Sequence, residues 1–306
     1  MNTLASGIRR VLASDLYYSF TRSKITVIAA VVTLILFVGA FGASWLAPHD
    51  PYDLSSLSLM DSLLPPVWME GGDWRYVLGT DNQGRDILST IMYGTRLSLI
   101  VGLCSILLAM VVGILLGLIS GYFGGLVDSV IMRVADVQLT FPAILVALLI
   151  DGVIKASASG SNENLAMIGV VFAIGLSFWV QYARTVRSSV LVEKGKEYVM
   201  AARVLGLGAA AIMSRHLLRN VMTPVLVIGT INLALAIIAE ATLSFLGVGI
   251  PSTQPSLGTL IRVGNDYLFS GEWWIAVIPA LVLGTLVLAV NLLGDWLRDA
   301  LNPRLR

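Results

Sequence analysis

The sequence predicts an all-α membrane protein with six transmembrane helices. Of its 306 residues, 57% are hydrophobic and only 13% are charged, whereas soluble domains average about 45–50% apolar and about 25% charged residues. Six apolar segments are near or above the roughly 17–25 residues that a helix needs to cross a bilayer. Lys and Arg are unevenly distributed between the connecting segments, and this bias orients the chain in the membrane.

The six predicted spans follow one another along nearly the whole chain. They lie near residues 25–46, 97–119, 137–154, 165–183, 224–247 and 274–294. The third is the least regular, because Pro142 lies near its start and Asp151 near its end. An even number of spans places both termini on one side of the membrane.

The distribution of Lys and Arg predicts that both termini are cytoplasmic. With that orientation, fifteen of the twenty Lys and Arg residues lie in cytoplasmic segments, as the positive-inside rule requires. Residues 1–24 are then a cytoplasmic N-terminal segment and 25–46 the first transmembrane helix. We call residues 47–96 the outer segment and residues 184–223 the cytoplasmic loop. Residues 97–306 form a core domain with the other five spans.

The cytoplasmic loop contains a charged, alanine-rich stretch with two glycines, KEYVMAARVLGLGAAAIMSRHLLRNV at 196–221. Residues before Gly206 and after Gly208 have helical spacing. Because glycine is unfavourable inside a helix and favoured where one ends, the stretch predicts two short helices that meet at a glycine corner. Taken alone, it fits either a solvated loop between spans or a docking element for a cytoplasmic partner.

The outer segment is rich in Pro, Gly, Asp and Trp, which predicts ordered turns rather than a helix. It is expected to fold as a cap on the outer face, or to be a surface loop with no role beyond packing. Within GTDNQGRD, the charged residues Asp81, Arg85 and Asp86 lie around two glycines. They are expected either to hold a turn through an Asp–Arg pair or to contact a protein outside the membrane.

Three glycines of the second span, Gly113, Gly117 and Gly121, recur every four residues. That spacing puts them on one stripe of the helix, where backbones can approach closely. The stripe predicts helix packing, either within this chain or against a second membrane subunit.

Two polar residues of the fifth span are candidates for a transport pathway. Glu240 lies well inside an apolar segment, where a charge costs about 2.5–3.5 kcal/mol on insertion scales. Its side chain is therefore expected to face protein or water, or to be protonated. We interpret Glu240 either as a pathway or gate residue, or as a residue that forms a hydrogen bond between packed helices. The same two interpretations apply to Asn232.

The cytoplasmic loop resembles the EAA motif of permease subunits of binding-protein-dependent ABC importers. That motif reads Glu-Ala-Ala, three residues, Gly, nine residues, then a hydrophobic or His residue followed by Leu-Pro. The residues in register here are Ala201, Ala202, Gly206, His216 and Leu218, with Met200 in place of the usual glutamate and Arg219 in place of the usual proline.

Other blocks resemble the C-type subunit of dipeptide and oligopeptide permeases. They are LGTDNQGRDILSTIMYGTRLSL (78–99), EATLSFLGVGIPSTQPSLG (240–258) and NLLGDWLRDALNPRLR (291–306). The likeness covers the chain from about residue 22 to the end.

The resemblance implies the type I ABC importer transmembrane-domain fold in the bacterial inner membrane. It implies a second homologous permease subunit, two cytoplasmic ATPase subunits, an extracytoplasmic substrate-binding protein and membrane lipid as partners. The residues expected to couple the loop to an ATPase are Ala201, Ala202, Arg203, Gly206, Leu207, Gly208 and His216. The residues expected to contact the binding protein, if they do not merely hold a turn, are Asp81, Arg85 and Asp86. The substrates would be dipeptides or oligopeptides, with nickel chelates or glutathione as alternatives in the same family.

Several function classes are disfavoured by the residues themselves. The phosphate-loop pattern G-x-x-x-x-G-K-[ST] is missing from the sequence, so we expect no ATP hydrolysis and no cofactor in this chain, with ATP and Mg bound by partner ATPases. A net charge of +1 gives no indication of a nucleic-acid partner. An ion-coupled secondary carrier is the less favoured alternative, since such carriers use intramembrane acids and internal repeats. The sequence shows neither a His pair with metal-ligand spacing nor a Ser–His set, so the residues give no indication of an enzyme.

Overall fold

The computed structural model describes residues 15–53, 57–157, 163–251, 254 and 256–301. Its α-helices are α1 Asp15–Arg22, α2 Lys24–Phe41, α3 Ala43–Leu46, α4 Ile87–Phe123, α5 Gly125–Leu139, α6 Ala143–Ser157, α7 Glu163–Glu193, α8 Glu197–Val204, α9 Ala209–Ala211, α10 Leu218–Phe245, α11 Leu257–Asn265 and α12 Trp274–Leu301. A 3-10 turn covers Leu59–Asp61, and the π-helical segment Ile212–Leu217 joins α9 to α10.

Five helical stretches are long and apolar enough to cross a membrane. They are Lys24–Phe41, Ile87–Phe123, Leu165–Glu193, Ala209–Phe245 and Trp274–Ala300. Each of them includes most or all of one span predicted from the sequence. The all-α membrane fold is therefore confirmed, and the third predicted span remains to be placed.

The third predicted span, 137–154, is a bent pair of helices. α5 and α6 meet at an angle of 98° between Leu139 and Ala143. Pro142 has no N–H to continue a helix, and its ring disfavours helical backbone at Phe141. The sequence prediction was wrong in placing one helix across this break, and it missed the helical residues from Gly125 onward.

α4 and α7 pack against each other as parallel helices. A β-carbon added at Gly117 would lie 2.6 Å from the carbonyl oxygen of Ala183, and one at Gly121 would lie 2.8 Å from Cβ of Val190. Gly113 is crowded in the same way by residues one turn earlier on α7. The contacting residue numbers rise together along both helices, so the helices run in the same direction. The glycine stripe therefore packs within this chain.

This parallel arrangement fixes the number of crossings. Because α4 and α7 both end at the same end of the bundle, the helices between them in the sequence must return the chain to the opposite end. α5 and α6 together therefore make one crossing, and the described helices cross the bundle six times. That the two termini are cytoplasmic stays a prediction.

The outer segment forms ordered turns over residues 57–86 and becomes helical at Ile87. Trp274, at the start of α12, donates from Nε1 to the carbonyl oxygen of Thr80 at 3.3 Å, so the turns are docked on a membrane helix. Asp86 caps α4, because its carboxylate accepts a hydrogen bond from the Ser89 N–H at 2.9 Å. The last ten residues assigned to the outer segment by sequence, 87–96, are thus the first turns of α4.

The cytoplasmic loop is shorter than predicted. α7 extends to Glu193, and the stretch Ala209–Phe245 is one helical run of 37 residues. Such a helix is about 56 Å long, whereas the hydrocarbon core is about 30 Å thick. Hydropathy marks only the part inside the bilayer, so the charged ends of both helices were assigned to a loop.

We expect Gly117→Ala to destabilise the protein, although alanine favours helix formation more than glycine does. The added methyl group would meet backbone and Val186 atoms of α7 at 2.6–3.0 Å, and overpacking of this kind costs about 1–3 kcal/mol. The matched control is Gly284→Ala in α12, where an added β-carbon meets nothing within 4 Å. Thermal unfolding of the purified protein in detergent measures the difference. Equal melting temperatures for the two variants would contradict the close packing of α4 on α7.

Candidate functional site

α8 has one buried face and one exposed apolar face at the loop end of the bundle. Val199 and Ala202 are 0% and 3% exposed and pack into the helical core. On the other side, Met200, Val204 and Leu205 are 49%, 88% and 79% exposed. Apolar side chains exposed together on a short element are typical of a surface that binds another protein.

Gly206 ends α8 in a conformation that suits glycine. Its φ is +77°, in the left-handed region that residues with a β-carbon rarely adopt. The Gly206 N–H donates to the carbonyl of Arg203 at 3.0 Å, and the Leu207 N–H donates to that of Ala202 at 3.1 Å. These two bonds form a Schellman cap. The predicted glycine corner is present, and it turns Leu207 back onto the core.

Hydrogen bonds attach α8 to the end of α7 and the start of α10. Tyr198 donates from its hydroxyl to Oε2 of Glu193 at 2.5 Å and accepts from Nδ2 of Asn220 at 2.8 Å. Lys196 binds the other oxygen of Glu193 at 2.5 Å. Partial burial, reinforced by the Glu193 carboxylate, raises the pKa of Tyr198. Its hydroxyl therefore keeps the proton that it donates.

A second set of contacts attaches α8 and its leading turn to the end of α4. The Arg203 guanidinium lies over the ring of Tyr122 with 5.2 Å between its carbon and the ring centroid, a cation–π contact. Lys194 donates from Nζ to the carbonyl oxygen of Gly121 at 2.8 Å. α8 is thereby fastened to three long helices, α4, α7 and α10.

The second helix of the predicted pair is the first part of the fifth span. The stretch begins at Ala209, passes through the π-helical segment and continues as α10. The prediction of a second short helix was therefore wrong. His216 lies in the π-helical segment with its ring centroid 6.4 Å from that of Tyr198, whereas the adjacent Arg215 is exposed.

The predicted coupling residues lie together at this end of the bundle but differ in exposure. Ala201, Arg203, Gly206 and Gly208 are exposed. Ala202 is buried, and Leu207 and His216 are partly buried. The open space around Gly206 and Gly208, where an added β-carbon would meet nothing within 4 Å, leaves this corner accessible to another protein.

Glu240 lies in a buried polar cluster where α10 meets α4 and α11. The side chain is fully buried, and Oε1 accepts a hydrogen bond from the Ser244 hydroxyl at 2.8 Å. The hydroxyls of Ser98 and Ser256 also interact with the carboxyl group, although Oε2 has no donor in hydrogen-bonding geometry. The contacts agree with the interpretation of Glu240 as a packing residue between helices.

Asn232 is also enclosed by the helices of this chain. It is 1% exposed and interacts with Tyr182 of α7. Nδ2 of Asn232 and the Tyr182 hydroxyl both lack a partner in hydrogen-bonding geometry among the described residues. Neither Asn232 nor Glu240 faces open space in this conformation.

The charged residues of the outer segment hold a turn. Arg85 donates from Nε to Oδ2 of Asp81 at 2.7 Å, and both side chains are buried. Asp81 also accepts from the Arg85 and Gln83 N–H groups. Asp86 is 2% exposed and caps α4. The Asp–Arg turn is confirmed, and contact of these residues with a binding protein stays a prediction.

Sequence reasoning missed the residues that fasten α8. Tyr122 and Glu193 lie in the last turns of α4 and α7, 81 and 10 residues before Arg203, and no local pattern in the sequence indicates their contacts with α8 and its leading turn. The sequence feature that could have indicated these residues is an aromatic or acidic side chain in the last turn of a long helix. Among the described residues, no group of three or more His, Cys, Asp or Glu side chains is placed to hold a metal ion.

Comparisons with known proteins identify the family of this chain over most of its length. Residues 113–306 match the family model described as binding-protein-dependent transport system inner membrane component. Residues 12–66 match the model of the N-terminal transmembrane domain of oligopeptide transport permease C.

Similar curated proteins cover nearly the whole length. The dipeptide transport system permease protein DppC of Escherichia coli K12 is 40% identical, over 95% of this chain and 93% of the relative. The di/tripeptide transport system permease protein DppC of Pseudomonas aeruginosa is 37% identical, over 95% and 92%. The dipeptide permease DppC of Haemophilus influenzae is 36% identical, over 95% of both chains. The chain therefore belongs to the family of binding-protein-dependent transport system inner membrane components.

Proposed function

We propose that this chain is a membrane permease subunit of an ATP-driven importer of dipeptides or oligopeptides. The observation that carries the proposal is α8, a short helix with one exposed apolar face that is fastened to three long membrane helices. The names of the similar permeases support peptides as the substrate class. The chain would form half of the translocation pathway beside a second permease subunit, in a bacterial inner membrane with both termini cytoplasmic.

The energy for transport would come from two partner ATPases that bind ATP and Mg. α8 would dock on one of them through its exposed residues, and a substrate-binding protein would deliver peptide to the outer face. A docked helix transmits motion only if its own attachment is stiff. The hydrogen bonds of Tyr198 and the Arg203–Tyr122 contact support this requirement.

Reconstitution tests the proposal directly. Proteoliposomes that hold this chain with a second permease, two ATPases and a binding protein are expected to accumulate a labelled dipeptide only when ATP is supplied on the loop side. Omission of the ATPases is expected to abolish uptake. Uptake by this chain alone, driven by a proton gradient, would instead identify an ion-coupled carrier.

The glycine corner is expected to be essential for coupling. Gly206→Thr places a β-branched residue at φ +77°, which costs about 1–2 kcal/mol and would redirect the chain that leaves α8. We expect peptide uptake by the assembled complex to fall by about tenfold while membrane insertion and ATPase activity persist. Gly195→Thr is the matched control, because Gly195 is exposed, precedes α8 and does not have a positive φ. Equal uptake by both variants would refute the coupling role of Gly206.

Glu240 and Asn232 would reach a pathway only if α10 moved away from its neighbours. We infer that Glu240 fastens α10 to α4 and α11, and that a gate function would arise from release of this contact. The surrounding hydroxyls belong to Ser98 of α4, Ser244 of α10 and Ser256, which caps the start of α11.

Two substitutions separate a fastening residue from a charged pathway residue. Glu240→Gln retains a hydrogen-bonding side chain of the same size, and we expect uptake within about twofold of the wild type because its net loss is a fraction of one interhelical hydrogen bond. Glu240→Leu removes the acceptor to which the Ser244 hydroxyl donates and should cost about 1 kcal/mol of stability. Thermal unfolding and uptake are measured on the same preparations. A stable Glu240→Gln complex that no longer transports would show that the charge itself is required.

A further inference from the structure

A cleft opens beside α4 at the end of the bundle that carries the outer segment. It has a volume of about 350 Å³, which is within the usual range of small-ligand sites. The residues that line it are Tyr52, Tyr93, Arg96, Leu97, Ile100 and Gln254. The cleft is distinct from α8 and from the Glu240 cluster, so none of the roles proposed above accounts for it.

Arg96 enters this cleft without an ionic partner. The residue is exposed, and no carboxylate of the described residues lies within 4.0 Å of its guanidinium. The other arginines of the outer segment are paired, Arg85 with Asp81 at 2.7 Å and Arg75 with Asp73 at 2.6 Å. A guanidinium can donate two parallel hydrogen bonds to a carboxylate or phosphate, and here its donors remain available.

Two tyrosines add hydroxyl donors on the same cleft. The rings of Tyr52 and Tyr93 meet edge to face with 5.2 Å between their centroids, and neither hydroxyl donates to a described protein group. Burial raises the pKa of Tyr52 to about 12, against the opposing effect of the Arg85 and Arg96 charges. The Tyr52 hydroxyl therefore stays protonated at neutral pH and can donate a hydrogen bond.

The remaining wall of the cleft is apolar and continues along the membrane helix. Leu97 and Ile100 lie within one turn of Arg96, and the same side of α4 then carries Leu103 and Leu107, which are 47% and 51% exposed. A ligand that places an anionic group at Arg96 would therefore meet apolar surface on its membrane side. Asp50 also acts on Tyr52, and its carboxylate accepts a hydrogen bond from the Tyr52 N–H at 2.9 Å.

We propose that this cleft binds an oxyanion carried by an amphipathic molecule, with Arg96, Tyr52 and Tyr93 as the donors. Two sources have this chemistry. One is the C-terminal carboxylate of a peptide that enters the pathway, which rests on the proposed function. The other is the phosphate of an anionic lipid at the membrane surface, which does not depend on it.

Direct binding to the purified permease complex, without binding protein, tests the site. Equilibrium binding of leucyl-leucine is compared with that of leucyl-leucinamide, which lacks the carboxylate. For the lipid, the complex is placed in nanodiscs of phosphatidylethanolamine, prepared either with or without phosphatidylglycerol. Native mass spectrometry then counts the phosphatidylglycerol molecules that stay bound to the complex. The variants are Arg96→Gln, the milder Tyr93→Phe, and Arg75→Gln as a control that removes the same charge from the outer segment.

Arg96→Gln is expected to weaken binding by about tenfold or more, as for loss of hydrogen bonds to a charged group, and Tyr93→Phe by about threefold, as for loss of one ordinary hydrogen bond. Loss confined to leucyl-leucine assigns the site to the peptide carboxylate, and loss of retained phosphatidylglycerol assigns it to lipid phosphate. Either result supports the proposal if Arg75→Gln behaves as wild type. Unchanged binding in both assays, or no binding by the wild type, overturns it. ATP-driven uptake measured on the same wild-type complex reports separately on the proposed function.

Discussion

The close contact between α4 and α7 is the constraint on which the rest of the structure depends. Three glycines remove the side chains that would otherwise separate these helices, so backbone atoms of one meet side chains of the other at van der Waals distance. Dispersion at this contact replaces the hydrophobic effect, which contributes little between helices inside a bilayer. The contact also determines that both helices end together, and that common end is where α8 is attached.

The attachment of α8 combines several weak interactions of different kinds. A hydroxyl shared between Glu193 and Asn220 ties α8 to α7 and α10. A cation–π contact and a backbone-directed lysine both tie it to α4. Each is modest by itself at an exposed surface. Together they hold a short helix that exposes apolar side chains on its outer face, in agreement with the proposed docking role.

The sequence was informative where the signal is local. Hydropathy located five helices that cross the bundle, and Gly206 located the end of α8, because a left-handed cap has a residue preference that can be read directly. The glycine stripe was also readable, since a spacing of four places residues on one side of a helix.

The bend between α5 and α6 was not anticipated, because Pro142 inside an apolar run fits either a kink or a new helix start. The extent of α7 and α10 was underestimated, since charged turns outside the bilayer resemble loop by composition. The partners of α8 were missed, because Tyr122 and Arg203 are brought together only by tertiary packing.

The spacing of the glycines has a mechanical consequence for any motion of α7 relative to α4. Successive glycines are about 6 Å apart along the helix axis, and each receives one bulky residue of α7. A small displacement of α7 along α4 would press Val186 and Val190 against the side chains that lie between the glycines of α4. The valines would fit again only after a shift of about one helical turn, when each reaches the next glycine. Gradual sliding of α7 along α4 is therefore disfavoured. The two helices are expected to move as one rigid body that tilts relative to the neighbouring helices.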